Sequence, residues 1–371
     1  MSKYQLVTLG KHIDILSGYA FPSSGFNQKN GVPLIRIRDI LSGRTETYYE
    51  GSYDLKYLIK KGDLLVGMDG DFNREYWKGT DALLNQRVCK ITPNPETLDK
   101  NFLYHFLQKE LDKIHATTDV VTVKHLSVKK IQDIKIRLPS LKEQKRIAAI
   151  LDKADGIRQK REQAIKLADD FLRATFVEIF PQLDDCGNKV KLGDIVTLDA
   201  PMVDPREDKF IDLIHIGPDR IERNTGLLLT ALTAREENLI SKKFLFDENY
   251  VLYSKIRPYL KKCALPDFGG LCSADMYPVK PISGKTNREF IWQLLLSDLF
   301  TKYTETLPDR ANIPKLNRKE LLSFELSLPP IPLQEKYKAI VQKTNHAKLI
   351  MRTQNGNFIL NQLADELFLT N

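Results

Sequence analysis

The chain has 371 residues, enough for two ordinary domains that each bury their own core. Lysine plus arginine total 56 and aspartate plus glutamate 48, a net charge of +8 that is compatible with a nucleic-acid partner without requiring one. None of the four cysteines, Cys89, Cys186, Cys263 and Cys272, forms a close metal-ligand pair, so a zinc site is not expected and free thiols in a reducing compartment are. No signal peptide is visible and no window approaches the roughly 20 apolar residues of a bilayer span, so no membrane association and a cytoplasmic location are expected.

In chain order, residues 3–16 predict a short strand, a turn at Gly10 and a short helix. Ser17-Gly18-Tyr19-Ala20-Phe21-Pro22 predicts a loop. Residues 33–40 alternate and predict a strand, with Leu34 and Ile40 on its apolar face. Residues 61–68 predict a turn and a buried strand, residues 69–74 a polar loop and residues 85–91 another strand. Asn101 to Leu111 predicts an amphipathic helix carrying Phe102, Leu103, Phe106 and Leu107, and residues 131–138 a strand. Together these describe a mixed α/β, or α+β, domain over residues 1–138.

Residues 138–180 then run without an internal proline after Pro139. Ile147, Ile150, Leu151, Ala154, Ile157, Ile165, Ala168, Phe171 and Leu172 recur at helical steps between charged residues. At about 1.5 Å per residue this helix would be roughly 50–60 Å long. Such a long helix with a narrow apolar stripe usually pairs with another. A second, weaker stripe follows Leu328-Pro329: Tyr337, Ile340, Val341, Thr344, Ala347 and Leu349, then Leu363 and Leu367, with Gly356 a candidate interruption.

The two halves repeat. Residues 190–196 echo 7–13, residues 249–255 echo 62–68, and residues 290–295 echo 102–107. Residues 313–316 echo 123–126, Leu328-Pro329 echoes Leu138-Pro139, and Gln334 echoes Gln144. Residues 210–216 are expected to form a strand like 34–40. The stretches that differ most are 17–60 against 199–247, and 69–84 against 256–271, so one frame carries two different recognition surfaces. The organisation read from this is a first domain (1–138), a helix (139–180), a second domain (181–328) and a second helix (329–371). If the helices pair antiparallel, the halves acquire a pseudo-two-fold relation. Duplex DNA repeats every 34–36 Å, so such a frame could read two separated, non-identical half-sites. A helical spacer bridging other proteins is the alternative.

Basic residues, joined by Asn73 and Ser254, supply candidate DNA contacts. They are Arg36, Arg38, Arg44, Asn73, Arg74, Arg87, Lys124 and His125 in the first half. In the second half they are Arg220, Arg223, Ser254, Lys255, Arg257, Lys261, Lys262, Arg310 and Lys315. Arg and Lys suit phosphates and guanine edges, and Asn suits adenine. Catalytic signals are weak: there is no phosphate-binding loop with Lys-Ser or Lys-Thr, and no hydrolytic triad around the six histidines. Asp69, Asp71 and Glu75 lack counterparts in the second half and are not taken as a nuclease site.

Leu138-Pro139-Ser140-Leu141-Lys142-Glu143-Gln144-Lys145-Arg146-Ile147 and residues 328–336 resemble the entries to the conserved helical spacers of Type I restriction-modification specificity subunits. Phe171-Leu172-Arg173-Ala174-Thr175-Phe176 resembles the end of the first spacer. Ser17-Gly18-Tyr19-Ala20-Phe21 and residues 251–258 resemble parts of that family's target-recognition domains. The second half lacks the Ser-Gly-aromatic loop, and residues 353–357 interrupt the second spacer. The resemblance implies two tandem target-recognition domains and paired antiparallel helices. It implies a non-catalytic subunit that reads a bipartite, asymmetric double-stranded DNA site. Two methylation subunits would methylate adenine N6 with S-adenosylmethionine, and two motor-nuclease subunits would use ATP and Mg2+. No cofactor or metal is implied for this chain itself, and self-association of the isolated subunit stays open. A stand-alone DNA-binding or scaffold protein with this fold is the alternative.

Overall fold

The structure is a computed structural model that describes residues 4–118, 124–185, 189–308 and 314–353. These fall into two compact units, the first running to Arg161 and the second beginning at Glu162. The first contains helices α1 (Lys100–Ala116) and α2 (Val128–Gln132). Helix α3 (Leu141–Ile179) starts in the first unit and ends in the second. The second adds α4 (Arg288–Leu296), α5 (Asp298–Glu305), α6 (Arg318–Leu322) and α7 (Ile331–Thr353). The architecture is mixed α/β with two long helices, as the pattern of apolar residues predicts.

In the first unit, Gln5–Thr8 pairs antiparallel with Lys135–Leu138. A four-stranded antiparallel sheet follows the order Ile13–Ser17, Val88–Pro93, Leu64–Gly67 and Arg74–Tyr76. The strand Leu64–Gly67 is buried throughout. In a second sheet of five short strands the interior strand Ala82–Leu84 runs parallel to Val32–Ile35 and antiparallel to Leu58–Ile59. Leu64, Val66, Phe102, Leu103, Phe106, Ile147 and Leu151 join the sheet, α1 and the start of α3 in one core.

The second unit repeats these elements. Lys189–Lys191 pairs with Glu325–Ser327, and a four-stranded sheet runs Val196–Thr197, Met276–Pro281, Val251–Ser254, Cys263–Ala264. In the other sheet an interior strand, Gly270–Cys272, again runs parallel to one neighbour, His215–Ile216, and antiparallel to the other, Lys243–Phe246. Even the stretches that differ most in sequence therefore share three strands with the same relative senses. They diverge at the sheet edge. Tyr48–Tyr49 and Phe26–Asn27 extend the first, and Met202–Val203 extends the second.

Within the second unit the end of α3 packs on α7. Tyr337 lies 5.3 Å from the Phe176 ring and 5.7 Å from the Phe180 ring, and its hydroxyl donates to the Leu172 carbonyl at 3.2 Å. Lys348 Nζ meets Asp169 Oδ1 at 2.5 Å, with both side chains more than nine-tenths buried. Positions earlier in α3 thus meet positions later in α7, the antiparallel sense. Burial raises the Tyr337 phenol pKa, which keeps it a neutral donor.

Each long helix is anchored by a fully buried glutamine in its first turn. Gln144 Oε1 accepts from the Asp99 backbone N–H at 2.8 Å. Its Nε2 donates to the carbonyls of Thr97 and Pro139 at 3.0 and 2.9 Å. Gln334 Oε1 accepts from the Thr286 hydroxyl at 2.8 Å, and its Nε2 donates to the Pro329 and Lys285 carbonyls. Asp99 and Asn287, beside these contacts, are the N-caps of α1 and α4.

Several local expectations are corrected. Residues 13–17 form a strand, not a helix, because they pair with Val88–Pro93. The strand expected over 33–40 stops at Ile35. Ile37–Asp39 is a 3-10 turn whose Asp39 carboxylate accepts from the Arg36 backbone N–H. Residues 210–213 are turn, bonded Phe210 N–H to Glu207 O and Leu213 N–H to Phe210 O, and only His215–Ile216 is extended. Gln86 and Arg87 form a turn before the strand that starts at Val88. Residues 128–132 are helical, and the expected strand begins at Lys135. Cys89, Cys263 and Cys272 are free and buried, and burial pushes the Cys89 thiol up to about 12. Cys186, Gly356, Leu363 and Leu367 lie outside the described residues.

The buried glutamines predict a stability cost. Gln334→Ala deletes a side chain that satisfies one hydroxyl and two carbonyls, and should destabilise the chain by about 2–4 kcal/mol in urea unfolding. Gln163→Ala, exposed in the middle of α3, should change stability by less than about 0.5 kcal/mol.

Candidate nucleic-acid interface

Three backbone hydrogen bonds stitch three segments together where the central strand Leu64–Gly67 ends and Val88–Pro93 begins. Met68 N–H donates to Arg87 O at 2.8 Å, Leu126 N–H to Met68 O at 2.7 Å, and Gly70 N–H to Lys124 O at 3.1 Å. The second unit has the same three bonds. Lys255 N–H donates to Asp275 O at 3.1 Å, Leu316 N–H to Lys255 O at 2.8 Å, and Arg257 N–H to Pro314 O at 2.8 Å. The clamp matches Met68 with Lys255, Gly70 with Arg257, Arg87 with Asp275, and the segment 124–126 with 314–316. Backbone bonds carry it, so the side chains on it are free to differ.

In the first clamp Arg87 and His125 surround Asp69. His125 Nδ1 lies 2.5 Å from Asp69 Oδ1, Arg87 Nε 3.6 Å from Asp69 Oδ2, and Arg87 Nη1 3.4 Å from His125 Nδ1. Arg87 and His125 are otherwise exposed. Lys124 Nζ donates to the His115 carbonyl in the last turn of α1 at 2.6 Å, which fixes the clamp to that helix.

In the second clamp the carboxylate sits on the segment that carries Arg87 in the first, and a lysine replaces Met68. Asp275 lies 3.7 Å from both Lys255 Nζ and Lys315 Nζ. The next turn, Pro258–Leu260, is flanked by Arg257 (φ 49°) and Lys261 (φ 48°), both left-handed. The matching first-unit residue is Gly70, φ 73°, which adopts this backbone without steric cost. A non-glycine residue there costs about 1–2 kcal/mol, so the exposed Arg257 side chain is kept against strain, which points to function. Lys261 Nζ meets Asp298 Oδ1 at 2.5 Å, a hydrogen bond that lowers the Asp298 pKa, and Lys262 Nζ donates to Pro218 O at 2.6 Å. Those two lysines hold the turn in place. Tyr259 stands exposed in that turn, over a 280 Å³ cleft also lined by Glu305, Pro308 and Lys315.

Not every candidate gathers at the clamps. Arg36 lies over the Phe26 ring at 5.3 Å, Arg38 is exposed 3.8 Å from Asp39, and Arg44 is exposed in a loop. Ile37, between Arg36 and Arg38, sits beside Gly67. Asn73 is half-buried, and its carbonyl accepts from the Gly67 N–H. The Arg74 guanidinium stacks 3.4 Å above the Tyr104 ring, and burial lowers its pKa against the pull of Tyr104 and Glu75. Arg220 bonds to the Thr230 carbonyl and approaches Glu237, which also holds His215 at 2.8 Å. Arg223 is exposed. Ser254 is buried, and its hydroxyl donates to Ile256 O. Arg310 lies outside the described residues.

Asp69 and Asp275 were not among the candidates, since a search for cations passes over carboxylates. The signal was present in the repeat, where Arg87 aligns with Asp275. Asp69, Asp71 and Glu75 take separate environments. Asp69 joins the clamp, Asp71 is exposed, and Glu75 accepts from the Tyr104 hydroxyl at 3.1 Å. Among the described residues no group of three or more His, Cys, Asp or Glu could hold a metal ion, and no helix is long and apolar enough to cross a membrane.

Arg257→Gly should raise stability by about 0.5–1 kcal/mol, read as a higher thermal midpoint, because it relieves the left-handed residue. Gly70→Ala, where an added Cβ meets no neighbour within 4 Å, should lower stability by about 1 kcal/mol through backbone strain alone.

Comparison with known proteins agrees with this doubled architecture. The family model described as the Type I restriction modification DNA specificity domain matches twice, over residues 1–167 and 188–355. The chain is 46% identical over 173 residues to the Type I restriction enzyme EcoBI specificity subunit of Escherichia coli. That stretch is 45% of this chain and 36% of the relative, so the match spans about a third of the EcoBI subunit. It is 28% identical over 308 residues to the E. coli EcoDI specificity subunit, covering 73% of this chain and 68% of that one. The crystal structure of a Type I restriction-modification system S subunit from M. genitalium has a similar fold. Its TM-score is 0.59 at 15% identity, covering 99% of this chain and 96% of that one. With the family model matched across both halves, the chain belongs to the Type I restriction-modification DNA specificity family.

Proposed function

We propose that this chain is the sequence-reading subunit of a Type I restriction-modification complex. One target-recognition domain, residues 1–138, reads one half of a bipartite, asymmetric DNA site, and the other, residues 181–328, reads the second half. The spacers, 139–180 and 329–371, set the gap between the halves. The observation that carries this reading is the clamp built twice on identical backbone bonds and furnished with different charged side chains. A conserved frame with unlike surfaces is what two different half-sites require.

The residues that meet DNA in this reading are Arg87, His125, Lys255, Arg257 and Lys315 at the clamps, with Arg38, Arg44 and Arg223 on exposed flanking loops. Lys124, Lys261 and Lys262 hold these segments in position through backbone carbonyls and Asp298. Arg74 and Ser254 serve packing. Phosphate contacts set register, and groove contacts set sequence.

Two methylation subunits dock along the helices in this proposal. Leu167 and Phe171, one turn apart on α3, and Leu349 and Ile350 on α7 are exposed apolar side chains that such partners would bury. Those partners supply adenine N6 methylation from S-adenosylmethionine, which requires the target base to leave the stack. Two motor-nuclease subunits supply ATP- and Mg2+-dependent translocation and cleavage. The chain itself contributes recognition and assembly in the cytoplasm, with no chemistry of its own.

The experiment is to map N6-methyladenine across the genome in cells with and without this gene, its methylation subunit being present. The expected result is loss of methylation from one split, asymmetric sequence when the gene is deleted. An unchanged methylation pattern would overturn the proposal and favour a stand-alone DNA-binding or scaffold protein.

A further inference from the structure

The two clamps share an electrostatic arrangement beneath their different side chains. Each sets one carboxylate between two basic side chains that come from different segments. Asp69 sits between Arg87 and His125, and Asp275 between Lys255 and Lys315. The carboxylate comes from the loop after the central strand in one unit and from the turn before the next strand in the other. Of the matched residues only Arg87 and Asp275 differ in sign, Met68 is matched by Lys255, and His125 and Lys315 are both basic, yet the grouping of one carboxylate with two basic side chains has been kept. A charge needed only to attract DNA would need no carboxylate, because phosphates repel it. A carboxylate needed only for stability would contribute little at these half-exposed sites.

We propose that Asp69 and Asp275 are positioning residues for sequence discrimination in the DNA-reading role inferred above, on which this inference rests. Each carboxylate holds two basic side chains in one direction before DNA arrives. Long basic side chains lose considerable rotamer freedom when they are fixed, and pinning them in advance removes that cost for DNA that fits their direction. It also withholds part of their charge from DNA that does not fit, which weakens the sequence-independent phosphate attraction. Lys255 is held further by its bond to the Ala274 carbonyl at 2.5 Å, so Asp275 chiefly controls Lys315. With the carboxylate neutralised, the basic groups are free to reach any phosphate nearby.

The test uses the full chain with Asp275→Asn, an isosteric change at a half-exposed site. Binding is measured over a salt series to a duplex carrying the methylated sequence and to a duplex with that sequence shuffled. The expected result is affinity for the shuffled duplex higher by about fivefold, and a salt slope steeper by about 0.9, the effect of roughly one more phosphate contact. Affinity for the true site rises less, so the discrimination ratio falls. Adding Lys315→Gln to Asp275→Asn should return the shuffled-duplex affinity towards the starting value, and Asp69→Asn gives an independent repeat in the other unit. Equal gains on both duplexes, or an unchanged salt slope, would overturn the positioning role while leaving DNA binding intact. If the unsubstituted chain binds neither duplex, the DNA-reading role falls and this inference falls with it.

Discussion

A buried side-chain amide at the first turn of each long helix is the constraint through which the rest of each unit is connected. Gln144 has no exposed surface, so its polar atoms must find partners within the protein, and it finds them in Asp99, Thr97 and Pro139. Asp99 caps α1, and the far end of α1 receives Lys124 through the His115 carbonyl. Lys124 in turn accepts from Gly70 at the clamp. A continuous series of hydrogen bonds therefore runs from the spacer helix to the loop that carries Asp69. In the second unit Gln334 occupies the equivalent place, and the Tyr277 hydroxyl donates to the Leu316 carbonyl beside the clamp. The glutamine repeated after each Leu-Pro is thus a mechanical joint between the long helix and the rest of its unit.

The second theme is the separation of backbone and side-chain roles. Main-chain bonds build the clamps, which makes the frame tolerant of substitution. The same tolerance lets Gly70 be matched by Arg257 and Arg87 by Asp275 without altering a single one of the three bonds. Variation then alters charge at fixed positions in space, which in the proposed DNA-reading role is a route to new specificity. The buried Asp169–Lys348 pair follows a different logic. An ion pair this buried offers little net stability, but separating its members is costly, so it suits a role in fixing the register of α3 on α7.

Much of the fold was legible in the sequence because it rests on local periodicity and on repetition. The long helix α3, the buried strand before Met68 and the order of echoed segments all survive in the structure, although Ile157 and Phe171 of the expected apolar stripe are exposed. What was illegible depends on distant partners. Residues 13–17 are extended only because Val88–Pro93 lies beside them. Residues 36–39 turn because the Asp39 carboxylate captures a backbone N–H. Of the candidate site, the basic residues near Pro258 and at 124–125 were legible from composition. Nothing local distinguishes Lys255, beside Asp275, from Lys261, committed to Asp298. The two carboxylates at the clamps were invisible to a reading that looked for positive charge.

The central claim is that the two units read separate halves of one DNA site. It is tested most directly by exchanging residues 17–137 for the corresponding domain of a relative with a different target, leaving the rest intact. The methylated sequence would then be mapped in cells carrying the methylation subunits. The account predicts that one half of the target changes while the other half and the gap stay as they were. A change in both halves, or in neither, would contradict it.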